Sequence, residues 1–388
     1  MNILICNVGS TSLKYQLFAM DQGEKVLKKG GAERVGQKES VFYITDPVSG
    51  QKKENIAHFP THLEAIYAML EAIEPEKADC VGFKVVHAKG VTGTQYLTDD
   101  VLRAMEDFNA VAPAHNPPYL AAIRLFREAM PHVPLIGAFE TAFHAHMPPE
   151  AKYYSIPAEL SRKHKIHRYG FHGASHEYLS RYAMERLGTE DCKVITCHLG
   201  GSGSICAVKN GVSVDTSLGL SLQCGVMHNN RCGDIDPYII FYLAEECGMT
   251  LPQIKEMLQT KSGFLGMSGG VSADLRDVEK AAEAGNKDCR IAIESYGYSI
   301  RKYIGAYAAA MGGVDAVVFG GGIGTNSALV RRLALKELEF LGISLDEEKN
   351  REGAEDISVE GSKVRIYLAE TNEEIIVARK AKALLESK

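Results

Sequence analysis

The residues best suited to chemistry in this sequence are of two kinds: glycine- and hydroxyl-rich turns, and charged side chains set beside apolar runs. The first kind opens the chain. In NVGSTSLK an apolar run from Ile3 to Cys6 stops at Asn7, turns at Gly9 among hydroxyl residues, and resumes as Leu13 to Phe18. Such a turn brings several N–H groups to one point with no bulky side chain in the way, which is how a backbone cradles phosphate. The pattern returns in KVITCHLGGSGSICAVKNG, Lys193 to Gly211. A third segment, AVVFGGGIGTNS from Ala316 to Ser327, follows a strand-like run and leads into a helix expected to start near Asn326. Amides at a helix start favour negative charge, so this segment suits a nucleotide. The Walker pattern is absent, GGGIG alone is a weak signal, and any one of these turns could be a plain hairpin.

The second kind supplies charge. FETAFH puts Glu140 at the end of an apolar run, HRYGFHGASH is dense in imidazole and holds His172, NNRCGDIDP carries Arg231 beside Gly233, and KVVHAKG carries Lys84. Phosphoryl transfer asks a protein for cations and donors aimed at the equatorial oxygens, with a divalent metal between phosphates. Each residue also has an ordinary explanation. A lone histidine can satisfy a core hydrogen bond, Glu140 can pair with a surface base, and Arg231 can pair with Asp234 or Asp236.

The elements that must position these residues are legible in outline. The chain has 388 residues, 45% of them hydrophobic, enough for a large core and more than one domain. A net charge of −6 offers no basic field for nucleic acid, so the expected ligand is small. The 9 cysteines include no CxxC pair, which argues against zinc and for reduced thiols in a cytoplasmic, soluble protein; no apolar run reaches membrane-spanning length. THLEAIYAMLEAI from Thr61 has helical spacing and a Thr61–Glu64 capping box, CVGFKVVHA reads as a buried strand, and APAHNPPYLAAIRLF as a loop feeding a helix near Pro118. RIAIESYGYSIRKYIGAYAAAM is a long helix ended by Gly312 and Gly313, and TNEEIIVARKAKALLES an amphipathic one, with Thr371 and Glu374 as its capping box. Aligning Cys6-Asn7-Val8-Gly9-Ser10 with Cys197-His198-Leu199-Gly200-Gly201 sets two copies roughly half the chain apart, a spacing expected of domain duplication. Two such domains would face each other across a cleft.

In order and spacing, NVGSTSLKYQLF, APAHNPP, FETAFH, RYGFHGASH, CHLGGSGSI, DTSLGL, RCGDIDP, SADLRD, GGGIGTNS and TNEEIIVAR resemble the acetate kinase family over essentially the whole chain. The resemblance implies an α/β fold of duplicated ribonuclease-H-like domains of the actin-like ATPase kind, with mixed sheets flanked by helices and an interdomain cleft. It places one domain at 1–148, with the helix 373–388 packing back on it, and a nucleotide-binding domain at 149–372. It implies ATP/ADP and Mg2+, with Mn2+ as an alternative, a short-chain carboxylate converted reversibly to an acyl phosphate, and a homodimer with no nucleic acid or membrane partner. Carried over by position, Asn7 and Glu373 lie on the magnesium side with Glu140 nearby. Ser10, Ser12 and Lys14 line the first phosphate loop, and His198, Gly200 and Gly201 the second. Arg231, His172 and His115, with the charge of Lys84, serve the transferring phosphoryl group. Asp274, Arg276, Gly322, Ile323, Gly324 and Asn326 form the adenosine site, and Val86, Ala114, Phe171 and Leu222 the wall of the acyl pocket. Lys84 stands where the family pattern has arginine, Glu140 where it has aspartate, and Gly201 where it has asparagine. Two alternatives stand beside this reading: the same fold with another acid or a pyrophosphate donor, and a nucleotide-binding sensor without turnover. Retention of Asn7, His172, Arg231 and Glu373 speaks against the sensor, since a pure binder needs no acceptor-side cations.

Overall fold

The computed structural model describes residues 1–9, 11–73, 78–113 and 115–387. The chain divides into two compact units, Met1–Ala145 with Asn372–Lys388, and His146–Thr371. The sequence reading had put the division at 148/149.

The first unit is built on strands β1 (Asn2–Gly9), β2 (Ser12–Ala19), β3 (Lys25–Glu33), β4 (Ser40–Thr45), β5 (Lys52–Ala57), β6 (Cys80–Val85), β7 (Thr94–Tyr96) and β8 (Leu135–Phe139). They form one sheet in the order β5-β4-β3-β2-β1-β6-β8-β7. The opening hairpin is closed by the Gly9–Ser12 pair, β1 runs parallel to β6, and β6 runs parallel to β8. The Cys6–Phe83 pair sets Asn7 and Lys84 side by side at the ends of their strands, and the Glu140 N–H donates to the Val85 carbonyl at 2.9 Å. Three parallel strands thus end together with Asn7, Lys84 and Glu140, and the carboxyl ends of such strands are where α/β sheets hold ligands. The helix Glu373–Glu386 covers this sheet with Ile375, Ile376, Val377, Ala378 and Ala381 buried. Its cap is Asn372, whose side chain accepts from the Ile375 N–H at 3.1 Å. This corrects the Thr371–Glu374 box: the amide one residue later satisfies the orphan N–H, and Thr371 packs in the other unit, against Gly320. Half of the Thr61–Glu64 box forms ahead of the helix His62–Ile73: the Thr61 N–H donates to Glu64 at 2.9 Å, while the Thr61 hydroxyl accepts from the Leu63 N–H at 3.1 Å. The helix expected near Pro118 starts earlier, at Asn116, and runs to Ala129. Pro117 and Pro118 fit inside its first turn because N–H groups there have no intrahelical acceptor to lose.

The second unit repeats the pattern with β9 (Lys193–Leu199), β10 (Gly203–Lys209), β11 (Val212–Thr216), β12 (Ala316–Gly320) and β13 (Arg365–Leu368), in the order β11-β10-β9-β12-β13. Antiparallel hairpin partners lie on one side of β9 and parallel strands on the other, as around β1. Successive side chains on a strand alternate faces. Ile195, Cys197 and Leu199 join the apolar core shared with the helix Lys287–Met311, whereas Thr196 and His198 turn to the helix Gly173–Leu187. The long helix ends as expected, at Gly312 in the left-handed region (φ 67°). After β12 the glycines do not form a loop. Gly321–Asn326 is already helical, and a second helix, Ala328–Leu335, starts behind Ser327, whose hydroxyl accepts from the Val330 N–H at 3.1 Å. Gly321 has φ 76°, and a Cβ on it would lie 2.5 Å from the Leu199 carbonyl oxygen, so this close approach of helix and strand requires glycine.

Candidate active site

In the first unit the charged residues at the strand ends hold one another. The Lys84 ammonium lies 2.6 Å from Glu373 Oε2 and 3.1 Å from Glu140 Oε1. Burial alone would push the Lys84 pKa down. The two carboxylates outweigh it, and the ammonium is held well above its ordinary value. Tyr119 donates its hydroxyl to Asn7 Oδ1 at 2.9 Å and lies within the fields of Lys84, Glu140 and Glu373, which ties all five residues into one cluster. Sequence reasoning missed Tyr119, whose role depends on a helix packing beneath β1. Ser12 is half-buried at the start of β2, Lys14 is exposed opposite Asn7, and His115 directly precedes the Asn116–Ala129 helix. Val86 is buried. Ser10 and Ala114 lie outside the described residues.

In the second unit one cavity of about 620 Å3 is lined by Gly200, Gly201, Asp274, Arg276, Gly322, Ile323 and Asn326, together with Asn229, Glu279 and Ser327. The glycine turn after β9, the glycine helix after β12 and the SADLRD segment therefore meet around one space, although they are far apart in sequence. Asp274 caps the helix Leu275–Glu283 and takes the Arg276 guanidinium at 3.0 and 2.5 Å. Hydrogen bonds from the Arg276 side chain and N–H hold the Asp274 pKa down at about 2. Gly324 is not in the lining; it is buried near the backbone of Phe319 and Cys197. Nor is His198, whose ring lies 4.4 Å from that of His172.

Arg231 answers the question its sequence raised. Asp234 is taken by the Gly225 N–H and the Tyr303 hydroxyl, and among the described residues Arg231 pairs with no carboxylate. Its guanidinium donates to the Leu222 carbonyl at 2.6 Å, and burial lowers its pKa to about 10, so it stays charged at neutral pH. Behind it, His228 is fully buried; its Nδ1 accepts from the Gly203 N–H at 3.1 Å, and burial and the Arg231 charge hold its pKa at about 3. The imidazole is therefore neutral and buttresses the loop without adding charge. His172, at φ 56°, begins the helix Gly173–Leu187 with its Nδ1 2.7 Å from Ser204 Oγ. Phe171 and Leu222 are buried nearby in sequence to these two residues. A desolvated guanidinium and fixed imidazoles stabilise developing negative charge more strongly than the same groups in water.

The acetokinase family model matches residues 2–379. The acetate kinase of Thermosipho melanesiensis is 44% identical over 100% of this chain and 98% of its own length. That of Clostridium botulinum strain Kyoto is 43% identical over 99% of each. Among solved structures, Porphyromonas gingivalis acetate kinase superposes with a TM-score of 0.88 at 37% identity, covering 99% of both chains. A propionate kinase from Francisella tularensis does so with a TM-score of 0.90 at 33% identity over 98% of both. From end to end, the chain belongs to the acetokinase family, phosphotransferases with a carboxyl group as acceptor.

Proposed function

We propose that this chain transfers the terminal phosphoryl group of ATP to acetate or propionate, reversibly, yielding the acyl phosphate and ADP, with magnesium as the metal. The observation that carries the reading is the cavity in the second unit, where glycine backbone, the Asp274–Arg276 pair and Asn326 surround a space of nucleoside size. Gly201 and Gly322 offer N–H groups to phosphate oxygens without side chains in the way, whereas the Gly200 N–H closes the turn by donating to the Ser202 carbonyl at 3.1 Å. Asp274, Arg276, Ile323 and Asn326 are assigned to the adenosine.

The acceptor needs no general base. A carboxylic acid has a pKa of about 4, so at neutral pH the nucleophile is already an anion. The obstacle is bringing that anion to a polyanion. Arg231, charged and paired with no carboxylate among the described residues, is the residue assigned to the transferring group, with His172 as a donor. Buried Phe171 and Leu222 are assigned to the acyl side, where apolar side chains would keep water from the phosphoryl group. Glu140 is read as an orienting group rather than a proton acceptor.

The donor chemistry of Asn7, Glu140 and Glu373 fits magnesium, a hard cation that takes oxygen ligands and commonly only one or two carboxylates beside phosphate oxygens. Bound there, the metal would neutralise phosphate charge. Lys84 holds the two carboxylates together and lowers their repulsion. A homodimer belongs to the same reading: the helix Tyr238–Glu245 has no buried residue although it reads YIIFYLAE, as a face covered by a second copy would. So does a cytoplasmic location; no described helix is long and apolar enough to cross a membrane.

Hydroxylamine trapping tests the activity directly. Acetate, propionate, butyrate and hydroxy acids are offered with ATP and then with pyrophosphate as donor. Acyl hydroxamate from acetate or propionate with ATP is the expected result; none from any acid with either donor would overturn the assignment.

A further inference from the structure

Among the residues that line the cavity of the second unit, Asn229 is held by its backbone and not by its side chain. Its N–H donates to the Gly201 carbonyl at 3.0 Å, and its carbonyl accepts from the Leu265 N–H at 2.9 Å. Its neighbours are held in the same way: the Phe264 N–H donates to the His228 carbonyl at 3.0 Å and the Ser262 N–H to the Asn230 carbonyl at 3.1 Å. The segment is thus fixed between the glycine turn after β9 and the start of the helix Gly263–Met267. Only the two side-chain torsions of Asn229 remain to place its carboxamide.

That carboxamide lies beside Gly201. A Cβ on Gly201 would stand 3.2 Å from Asn229 Nδ2 and 3.6 Å from its Cγ, the first tighter than an ordinary van der Waals contact. Gly201 stands where the family pattern has asparagine, and here the space next to the turn is filled from the loop that carries Arg231. Asn229 and Gly201 line the same cavity, and Asn229 Oδ1 is buried with no hydrogen-bond partner among the described residues. An apolar side chain of similar size would fill the space without burying an unpaired oxygen, so packing alone does not account for an amide. The groups nearest to Asn229 along the chain and across the turn are Arg231 and the Gly201 N–H, the two assigned to phosphate. Phosphate oxygens accept, and the amide nitrogen carries two donors.

We infer that Asn229 is a phosphate-binding residue: its side-chain amide donates to the phosphate chain of the nucleotide at the Gly201 turn, doing from the neighbouring loop what a side chain on the turn would do. The inference rests on the reading of this cavity as a nucleotide site and names a further group that meets phosphate there. It concerns binding, so it can be observed without turnover.

Calorimetric titration with ATP, ADP and adenosine tests it. Asn229→Ala should weaken ATP and ADP about tenfold or more, the scale of a hydrogen bond to a charged group, while adenosine, which has no phosphate, stays within about twofold of the parent protein. Asn229→Asp keeps the shape and adds a negative charge, so it should weaken ADP more than Asn229→Ala does, by a margin that narrows at high salt. Gly201 is outside the left-handed region and can carry a side chain. Gly201→Asn alone crowds the Asn229 amide and should weaken ADP; combined with Asn229→Ala it returns a carboxamide to the same space and should recover ADP affinity to within about threefold of the parent. ADP affinity unchanged in Asn229→Ala, or parent-like in Asn229→Asp, would make the residue a filler of space and overturn the inference. So would an equal loss for adenosine, or a double variant that binds ADP no tighter than Asn229→Ala. If the parent protein binds neither ATP nor ADP, the nucleotide reading fails and this inference with it. If binding follows the expected pattern but no acid is phosphorylated, Asn229 keeps its role and the assigned activity fails.

Discussion

The two units use one strand order, β3-β2-β1-β6-β8 in the first and β11-β10-β9-β12-β13 in the second, yet their strand ends carry opposite chemistry. Around β1 the carboxylates outnumber the cation: one ammonium, Lys84, lies between Glu140 and Glu373. Around β9 the cavity is lined by glycine backbone and the mutually paired Asp274 and Arg276, the His228 imidazole is neutral, and the half-buried cation Arg231 pairs with no carboxylate among the described residues. A duplicated scaffold thus fixes where a ligand is held, while local charge fixes its sign. Paired oxygens suit a metal cation; an uncompensated guanidinium and bare amides suit a polyanion.

The contrast breaks most sharply at Arg231. Arg231→Ala should reduce kcat about a hundredfold to a thousandfold, as loss of a comparable preorganised donor does, with little change in nucleotide affinity measured by calorimetry. Turnover within a few fold of the parent protein would make Arg231 a structural residue holding the Leu222 loop.

Lys84 tests the carboxylate side. Lys84→Met leaves two carboxylates facing each other and should cost about 3 kcal/mol of stability at pH 8 in denaturant titrations, the scale on which removing one partner of a buried pair acts. In the parent protein the folded Lys84 pKa is raised, so its contribution is fully present below the unfolded value of about 10.4 and disappears only as pH rises through the folded value. Between pH 5 and 8 the change therefore comes from the carboxylates of the variant. Their repulsion is relieved as they protonate, and the deficit should shrink toward pH 5. A deficit independent of pH would mean that the cluster is held by packing instead of charge.

Much of this contrast could be read from the sequence, because it rests on local patterns. The paired hairpins at Asn7–Gly9 and His198–Gly200 announced the duplication, and the Gly312 stop and the Thr61–Glu64 contact are short-range signals found where expected. Long-range contacts were not legible. Nothing near Tyr119 in sequence tells that it reaches Asn7, and nothing in HGASH tells that His176 meets Thr196 and Ser204 across a sheet. The partner of Arg231, the Leu222 carbonyl instead of Asp234, also needed the fold, since Gly225 and Tyr303 claim that carboxylate from elsewhere. Asn372 displaced Thr371 as a helix cap because two adjacent residues could both cap and packing chose between them.

Two smaller effects separate chemistry from scaffold within the second unit. A Cβ on Gly297 would lie 2.4 Å from Leu333 Cβ, where the long helix meets its neighbour. Gly297→Ala should therefore cost about 1 to 3 kcal/mol by overpacking, while kcat per folded molecule is unchanged. Arg276 is exposed and pairs with Asp274 at the cavity. Arg276→Ala should weaken nucleotide binding only about two- to fivefold and leave kcat alone, since exposed pairs contribute little. A large kcat effect at Arg276 would move the reacting phosphate away from where Arg231 is assigned.

The central claim is that an already ionised acid attacks the terminal phosphoryl group itself. Acetate or propionate carrying 18O in both carboxyl oxygens, incubated with ATP and magnesium and read by mass spectrometry, tests this most directly. Direct transfer predicts an acyl phosphate that retains both heavy oxygens, with unlabelled ADP as the other product. Loss of one heavy oxygen from the acyl phosphate, or the appearance of AMP and pyrophosphate, would contradict it.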